Sequence, residues 1–274
     1  MDSELIHITV GEGARARRIA VRRRAGATPG IVWLGGFMSD MKGTKAQALD
    51  DWAATQGRAL VRFDYSGHGE SDGAFADGTI GSWLEDAVAV VTQVCRGPQI
   101  LVGSSMGGWI ALLLVRALAR RATPGEASVA GMVLIAPAVD FTEELMWKRF
   151  PPAVKRELET TGRFERPTDY DTGPYVITKR LIEEGRDHLL LGGLIETGCP
   201  VRIIQGVQDP DVPWQHANAL VTRLARDDVI LTLVKDGDHR LSRPEDIDRM
   251  LRAVAEMVHT ATAASHDRNT PAAG

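Results

Sequence analysis

The stretch Val102-Gly-Ser-Ser-Met-Gly-Gly-Trp109 directly follows the apolar residues Ile100 and Leu101, and it carries two adjacent serines among three glycines. Residues 103–107 match the pattern G-x-S-x-G, with Ser105 at the central position. An apolar strand pattern precedes the match, and an apolar helix pattern follows it. This order is typical of a sharp strand-to-helix turn that presents a nucleophilic serine at the carboxyl edge of a sheet.

Such a turn favours chemistry at Ser105 rather than at its neighbour. Ser105 stands at the N-terminus of the predicted helix, where backbone N–H groups and the helix dipole favour developing negative charge. Gly103 and Gly107 remove side chains that would collide with the strand and the helix. Ser104 is expected to point elsewhere and to be structural. Because an ordinary tight turn has the same pattern, the rest of the chain must decide between the two interpretations.

Composition limits the class of protein. The chain has 274 residues, 44% hydrophobic and 25% charged, which suits one large α/β domain or two small ones. Its net charge of -4 gives no sign of a nucleic-acid partner. The arginines between Arg15 and Arg24 alternate with Ile19 and Val21, so we interpret them as the solvated face of a hairpin strand rather than a targeting leader.

Cysteine content and hydropathy predict the compartment. Cys95 and Cys199 are far apart and form no CxxC pattern, which argues against a disulfide framework or structural zinc. No apolar run approaches the ~18 residues of a membrane span, and the start MDSELIHITV is not a basic-then-apolar leader. We expect a cytoplasmic protein without stable membrane insertion, either a monomer or a weak homodimer.

Strand and helix patterns alternate along the chain and predict a doubly wound, mostly parallel eight-stranded sheet. The first two strands are too close for a crossover helix and are expected to form an antiparallel hairpin at one edge. The predicted strands are 5–10, 17–23, 30–34, 59–63, 99–103, 131–135, 201–205 and 229–234. The predicted helices are 45–55, 82–94, 106–120, 213–225 and 244–260.

One interval, at about 140–197, shows helical patterns broken by prolines and glycines and no strand pattern. It carries several large apolar side chains close together, among them Phe141, Leu145, Met146 and Trp147. We interpret this insert as a small helical lid over the sheet. The predicted organisation is therefore a single domain over residues 1–262 with a disordered tail at 263–274.

A serine hydroxyl requires a general base that an acid orients, and in this kind of fold the chain order is serine, acid, histidine. Among seven histidines, only His239 directly follows the last predicted strand. The acid is expected after the strand that ends at Gln205, where Asp209 comes first and Asp211 stands closer to the next helix, which we expect it to cap. Asp140, after the preceding strand, is the third candidate.

Two backbone N–H groups are needed to stabilise an oxyanion. One is expected from Met106, directly after the nucleophile, and the other from Phe37 in the loop Gly35-Gly-Phe-Met-Ser-Asp40. A phosphate-binding loop is disfavoured because the G-x-x-x-x-G-K-[ST] pattern is missing. His68, in the glycine-rich segment RFDYSGHGES, is interpreted as part of a shaping turn rather than as a catalytic group.

Five ordered motifs, GGF, RFDYSGHGES, GSSMGG, GVQDPDVP and GDHR, resemble the α/β-hydrolase fold superfamily over nearly the whole chain. More narrowly, they resemble abhydrolase-domain enzymes that act as palmitoyl-protein thioesterases and acyl-glucuronide esterases. Two features depart from that pattern: Gly35-Gly36 replaces the His-Gly pair common before the oxyanion donor, and the mitochondrial leader of the relatives is not seen.

The resemblance implies that Ser105 is the nucleophile, Asp209 the acid and His239 the base of an ester or thioester hydrolase. The expected substrate is a small molecule or an acylated protein, with neither metal nor cofactor. Another hydrolase chemistry on the same residues (peptide, lactone or carbon-carbon cleavage) and a non-catalytic binding protein stay open. The residues expected to contact substrate are Met38, Met146, Trp147 and Trp214.

Overall fold

Strand β5 (Pro98–Ser104) and helix α3 (Met106–Ala119) form the centre of the molecule. In the computed structural model, which describes residues 3–119, 126–166, 175–225 and 228–269, every residue of α3 from Met106 to Val115 is buried. A helix that is apolar all round must be covered all round. It therefore packs between the sheet and a second layer of chain.

The main sheet has eight strands in the order β1-β2-β4-β3-β5-β6-β9-β10. Strand β2 pairs antiparallel with β1 and with β4, and all other neighbours in this sheet are parallel. The remaining seven strands are β1 (Glu4–Val10), β2 (Arg17–Arg24), β3 (Ala27–Leu34), β4 (Arg58–Phe63), β6 (Ser128–Ile135), β9 (Val201–Gly206) and β10 (Val229–Val234). The eight predicted strands and the antiparallel hairpin at the edge are thus confirmed.

Helices cover both faces of the sheet. Alternating side chains divide the core, since Leu101 of β5 belongs to one apolar cluster and Ile100 and Val102 to the other. Helices α1 and α7 pack on the second cluster, whereas α2, α3 and α6 pack on the first. Their bounds are α1 (Thr44–Thr55), α2 (Ile80–Val94), α6 (Trp214–Arg223) and α7 (Pro244–Asn269).

The arginines of β2 pair with acids of its neighbours, and only part of the cluster is the solvated face that was predicted, since Arg23 is exposed and Arg17 and Arg24 are largely buried. Arg17 contacts Glu85 and Asp86 of α2, and Arg23 contacts Glu4 of β1. Arg24 is largely buried and bridges to Asp50 of α1, which also pairs with a second arginine, Arg62 of β4. The cluster therefore fastens the antiparallel edge to the helices on both faces.

The insert between β6 and β9 departs from the prediction at one point. It contains helices α4 (Pro152–Thr161) and α5 (Lys179–Gly185), but also the antiparallel strands β7 (Arg163–Arg166) and β8 (Tyr175–Thr178). The expectation that no strand occurs in this interval was wrong. Segments of four residues, one of them the charged RFER, are too short for a strand period to be recognised in the sequence.

The C-terminal boundary also differs. Helix α7 continues to Asn269, seven residues beyond the predicted end of the domain at 262. The segment Ala263-Ala-Ser-His contains good helix formers, so nothing in it stops the helix. Residues 270–274 of the predicted tail lie outside the described residues. Among the described helices, none is both long enough and apolar enough to cross a bilayer.

The turn between β5 and α3 depends on glycine at two positions. A Cβ on Gly103 would lie 2.5 Å from the carbonyl oxygen of Gly107, and one on Gly107 would overlap the carbonyl oxygen of Leu34 in β3. Backbone cannot move away as a flexible side chain can. The start of α3 and strand β3 therefore approach so closely that no side chain fits at position 107.

We predict that Gly107→Ala lowers the free energy of unfolding by about 3 kcal/mol or more, because the methyl group overlaps backbone. Gly192→Ala, at an exposed position where a Cβ meets nothing within 4 Å, is the control and should change it by less than about 0.5 kcal/mol. Urea unfolding of both variants checks this. Equal stability of the two variants would contradict the account of the turn.

Candidate active site

Ser105 occupies the left-handed region of the backbone, with φ of +54°. This conformation is strained for a residue with a side chain and persists only where the surroundings fix it. The Ser105 N–H donates to Ile135 O at 2.8 Å, and its carbonyl accepts from Gly108 N and Ala138 N at 2.9 and 3.1 Å. Strand β6, the segment that follows it and helix α3 thus hold the turn.

Three predicted side chains from three separate loops meet at this turn. His239, in the loop after β10, has its Nε2 3.0 Å from Ser105 Oγ. Its Nδ1 lies 2.8 Å from Asp209 Oδ2, in the loop after β9. With Nδ1–H donating to the carboxylate, Nε2 carries the lone pair that accepts the serine hydroxyl. This geometry allows proton transfer from Ser105 to His239.

The carboxylate of Asp209 is held from several sides. Its Oδ1 accepts the N–H groups of Asp211 and Val212 at 2.9 and 2.8 Å. Its Oδ2 accepts from Gln205 Nε2 at 3.1 Å in addition to His239. The side chain of Asp209 is fully buried, so these donors replace water and fix its orientation.

The other two candidate acids serve different contacts. Asp211 Oδ1 lies 3.5 Å from Arg166 Nη2. The expectation that Asp211 caps the next helix was wrong, because α6 starts after Pro213 and has no side-chain cap. Buried Asp140 accepts the N–H groups of Leu190 and Leu191 at 2.8–3.0 Å, and burial raises the pKa of its carboxyl. Asp140 therefore fastens the end of the insert to the end of β6.

The loop after β3 runs beside Ser105. A Cβ on Gly36 would lie 3.4 Å from the Cβ of Ser105, which shows how closely the two backbones approach. Phe37, the next residue, and Met106 both border the cavity at Ser105. Met106 begins α3, so its N–H has no acceptor within the helix. The two predicted oxyanion donors thus belong to segments that meet at the serine.

The loop after β4 holds the loop after β3 in position. His68 Nε2 accepts the N–H of Met38 at 3.2 Å, while its Nδ1–H donates to Ser66 O at 3.2 Å. Asp64 Oδ1 accepts the N–H of Met41 at 2.6 Å. His68 is buried, and burial lowers its pKa to about 4, so the imidazole is neutral and can accept that bond at physiological pH. These contacts fit the interpretation of His68 as a shaping residue.

The sequence did not predict that His68 and Asp64 would accept hydrogen bonds from the backbone of the loop after β3. Both lie in the segment RFDYSGHGES, which the sequence analysis singled out only as a glycine-rich turn. An aspartate and a histidine four positions apart in one glycine-rich loop are the signal that could have indicated a positioning role.

Two cavities flank Ser105 and share Phe37, Ser105 and His239. The smaller has a volume of about 80 Å³, and its lining is mainly apolar: Met106, Ala138, Phe141, Leu145, Met146 and Val212, with Arg166 and Asp211 also bordering it. The larger has a volume of about 330 Å³ and a lining rich in polar groups, among them Ser39, Thr44, Lys45, Arg240 and Ser242.

Of the four residues predicted to contact substrate, two line a cavity beside Ser105 and two do not. Met146 lines the apolar cavity and Met38 the polar one. Trp147 and Trp214 line neither of the two. The indole of Trp147 instead contacts Lys155 and Arg186, whose cations lie 5.1 and 5.2 Å from the ring centroid. Cation–π contact on the insert accounts for its position.

Among the described residues, only one group of three side chains lies close enough together to ligate a metal ion. Ligand atoms of Asp209, Asp211 and His239 lie within 4.8 Å of one another. However, Asp209 Oδ2 receives Nδ1–H of His239, and the same ring directs Nε2 toward Ser105 Oγ. Both imidazole nitrogens are thus used in a hydrogen-bond relay, so the arrangement suits proton transfer better than metal ligation.

Comparison with known proteins agrees with the fold. Residues 31–169 match the family described as serine aminopeptidase, S33. Palmitoyl-protein thioesterase ABHD10, mitochondrial, is 37% identical in mouse and 35% in human, each over 88% of this chain and 78% and 76% of the relative. Among solved structures, a protein from Agrobacterium vitis is 52% identical with a TM-score of 0.91, covering 94% of this chain and 100% of its own.

The structure of mouse alpha/beta hydrolase domain-containing protein 10 is also similar, with 34% identity and a TM-score of 0.82 over 93% of this chain and 98% of its own. The fold and these matches define an α/β hydrolase. More particularly, the chain belongs to the family that the serine aminopeptidase S33 model describes, and the ABHD10 thioesterases are relatives within that fold.

We predict that His68 makes unfolding depend on pH. The folded pKa of about 4 lies below the ordinary value of 6.5, so the unfolded chain takes up the proton first as pH falls. The stability is complete above pH 6.5 and is lost toward pH 4, at about 1.4 kcal/mol per pH unit at most.

His68→Gln, which cannot be protonated, should flatten this dependence in urea unfolding between pH 6.5 and pH 4. The pKa of half-buried His216 is also lowered, mainly by loss of solvation, so His216→Gln is measured in parallel to separate its share. An unchanged slope in His68→Gln would contradict the neutral, buried imidazole.

Proposed function

We propose that this protein is a serine hydrolase that cleaves carboxylic esters and thioesters through an acyl-enzyme on Ser105. The relay from Asp209 through His239 to Ser105, with distances of 2.8 and 3.0 Å, carries the proposal. The relatives' printed names, palmitoyl-protein thioesterases, support a thioester among its substrates. The substrate is a small acylated molecule or an acylated protein.

In the first half-reaction, Ser105 Oγ attacks the carbonyl carbon while His239 Nε2 takes the hydroxyl proton. The N–H groups of Phe37 and Met106 are the proposed donors to the oxyanion, because both residues border the cavity at Ser105. The bond from carbon to the alkoxide or thiolate breaks, and that group leaves with the proton from His239. Asp209 stabilises the imidazolium in between.

In the second half-reaction, water takes the place of the leaving group. His239 removes a proton from the water, which attacks the acyl carbon and forms the second oxyanion. The bond to Ser105 Oγ then breaks, and His239 returns the proton to the serine. The products are the free acid and an unchanged enzyme, and every step uses groups of this chain and water alone.

The apolar cavity supports an acyl group as the part of the substrate held on that side. Phe141, Leu145 and Met146, which begin the insert, contribute part of its wall. The insert therefore acts as a lid over an acyl chain in this proposal. The relatives' names place them in mitochondria, whereas the expectation for this chain, a cytoplasmic location, stays a prediction.

The proposed activity predicts a clear order of substrates. Purified protein should hydrolyse 4-nitrophenyl butyrate and a butyryl thioester well, and leucine 4-nitroanilide at least about 10³-fold less well. The reason is that the lining of this cavity is mainly apolar, which suits an acyl chain better than the charged N-terminus of a peptide substrate. Efficient anilide cleavage with negligible esterase activity would indicate the peptidase chemistry that the family's description names instead.

The two serines of the turn supply a matched pair for this assay. Ser105→Ala should lower ester turnover by about 10³-fold or more, whereas Ser104→Ala should retain most of it. A loss of that size in Ser104→Ala would mean that the nucleophile was assigned to the wrong residue.

The acid is tested by a second matched pair in one loop. Asp209→Asn should reduce kcat by about 10⁴-fold, because an amide at this position holds His239 in the wrong tautomer. Asp211→Asn should cost little, since the hydrogen bond of His239 Nδ1 goes to Asp209 Oδ2, while Asp211 Oδ1 lies 3.5 Å from Arg166 Nη2. Steady-state kinetics of both variants with 4-nitrophenyl butyrate distinguish them. A large loss in Asp211→Asn with a small loss in Asp209→Asn would contradict the proposed relay.

A further inference from the structure

The loop that carries His239 is held on its N-terminal side by the loop of the proposed acid. Gly237 O accepts the N–H of Gln208 at 2.9 Å, so the two loops are joined just before the histidine. Asp238 Oδ1 accepts the N–H of Leu241 at 2.9 Å, which closes a tight turn around His239. Leu241 has φ of +43°, in the left-handed region. A residue with a side chain keeps such a backbone only where its surroundings fix it.

On the C-terminal side of the histidine, the support comes from a different element, helix α1. Lys45 Nζ donates to the carbonyl oxygen of Arg240 and, at 3.3 Å, to Ser242 Oγ. Ser242 Oγ in turn donates to the same carbonyl oxygen at 3.0 Å. Lys45 therefore holds the backbone of the residue that directly follows the base, and it joins this loop to α1.

The proposed chemistry depends on how precisely this loop is held. His239 Nε2 lies 3.0 Å from Ser105 Oγ, and the imidazole must keep that position while it gains and loses a proton in each half-reaction. A misplacement of about 1 Å caused by a change away from the reacting atoms can cost about 10²-fold in rate. A contact that fixes the backbone beside His239 therefore bears on turnover.

Given the acyl transfer proposed at Ser105, on which this inference rests, we infer that Lys45 is a positioning residue, which holds the loop of His239 against α1 and thereby keeps the base aligned with the nucleophile. The charge of the ammonium contributes to this role, because a charged donor forms a stronger hydrogen bond to a carbonyl than a neutral donor does.

The charge of Lys45 depends on its surroundings. Burial lowers the pKa of Lys45 to about 8, Asp238 and Asp246 oppose this shift, and Arg240 adds to it. The ammonium is therefore charged below pH 8 and becomes a neutral amine, a weaker donor, above pH 8. The titratable and charged groups around it lie on the loop of His239, at the start of α7 and on the shared polar cavity: Asp238, His239, Arg240, Asp246 and Asp40.

The first test compares steady-state kinetics with the neutral ester 4-nitrophenyl butyrate at pH 7.5. Lys45→Met should lower kcat by about tenfold and leave KM within about twofold, because the base loses its alignment while a neutral substrate binds as before. Lys45→Arg, which keeps a charged donor, should restore most of kcat. Lys42→Met is the control, since Lys42 lies three residues earlier and pairs with Glu70 at 3.0 Å, so its kcat should equal that of the wild type.

The second test is the pH dependence of kcat. From pH 7.5 to pH 9.5 the wild type should lose about fivefold, the difference between a charge-assisted and a neutral hydrogen bond. Lys45→Arg should show no such decline, because a guanidinium stays charged throughout this range. Lys45→Met should be low at both pH values. The rate without enzyme is subtracted at each pH.

The outcomes separate the two proposals. No turnover by the wild type would overturn the ester hydrolase itself. Turnover with equal kcat in the wild type and Lys45→Met would overturn the positioning role and leave the hydrolase intact. A raised KM with unchanged kcat in Lys45→Met would also overturn it, because Lys45 would then bind substrate. If Lys45→Met does not fold, the wild type and Lys45→Arg decide, and an equal decline above pH 8 in both would contradict the inference.

Discussion

The left-handed backbone at Ser105 is the constraint on which the rest of the site depends. A residue with a side chain adopts φ of +54° only where neighbours hold it there. Here β6 accepts its N–H, and α3 begins at the next residue, so close to β3 that only glycine fits at position 107. The strain is the cost of presenting the hydroxyl above the sheet edge, with a helix start beside it.

The parallel sheet then determines which loops can reach this hydroxyl. Strands β3, β5, β9 and β10 all end at the same edge, so the loops that follow them meet there. These loops carry Phe37, Ser105, Asp209 and His239, which lie far apart in the chain. The insert after β6 adds an apolar wall on one side, while α1 and the loop of His239 form the polar wall on the other.

Much of this arrangement could be predicted from the sequence, because continuous apolar runs mark buried parallel strands and each loop follows one of them. The positions of Asp209 and His239 after two of these strands were sufficient to predict that both lie near Ser105. Direction of side chains within the insert was not predictable. Met146 borders the apolar cavity, whereas neighbouring Trp147 contacts two cations, and only the local backbone distinguishes them. The sequence did not predict that Lys45 borders the polar cavity, since its hydrogen-bond acceptors lie 195 and 197 residues away in the chain.

The central claim is that Ser105 receives the acyl group with the oxyanion held by Phe37 and Met106. The most direct measurement is a crystal structure after reaction with 4-nitrophenyl butylphosphonate, an analogue of the tetrahedral intermediate. We expect phosphorus on Ser105 Oγ, a phosphoryl oxygen roughly 2.7–3.1 Å from both backbone nitrogens, and the butyl group in the apolar cavity. Phosphorus on Ser104, or a phosphoryl oxygen that contacts neither nitrogen, would contradict the account.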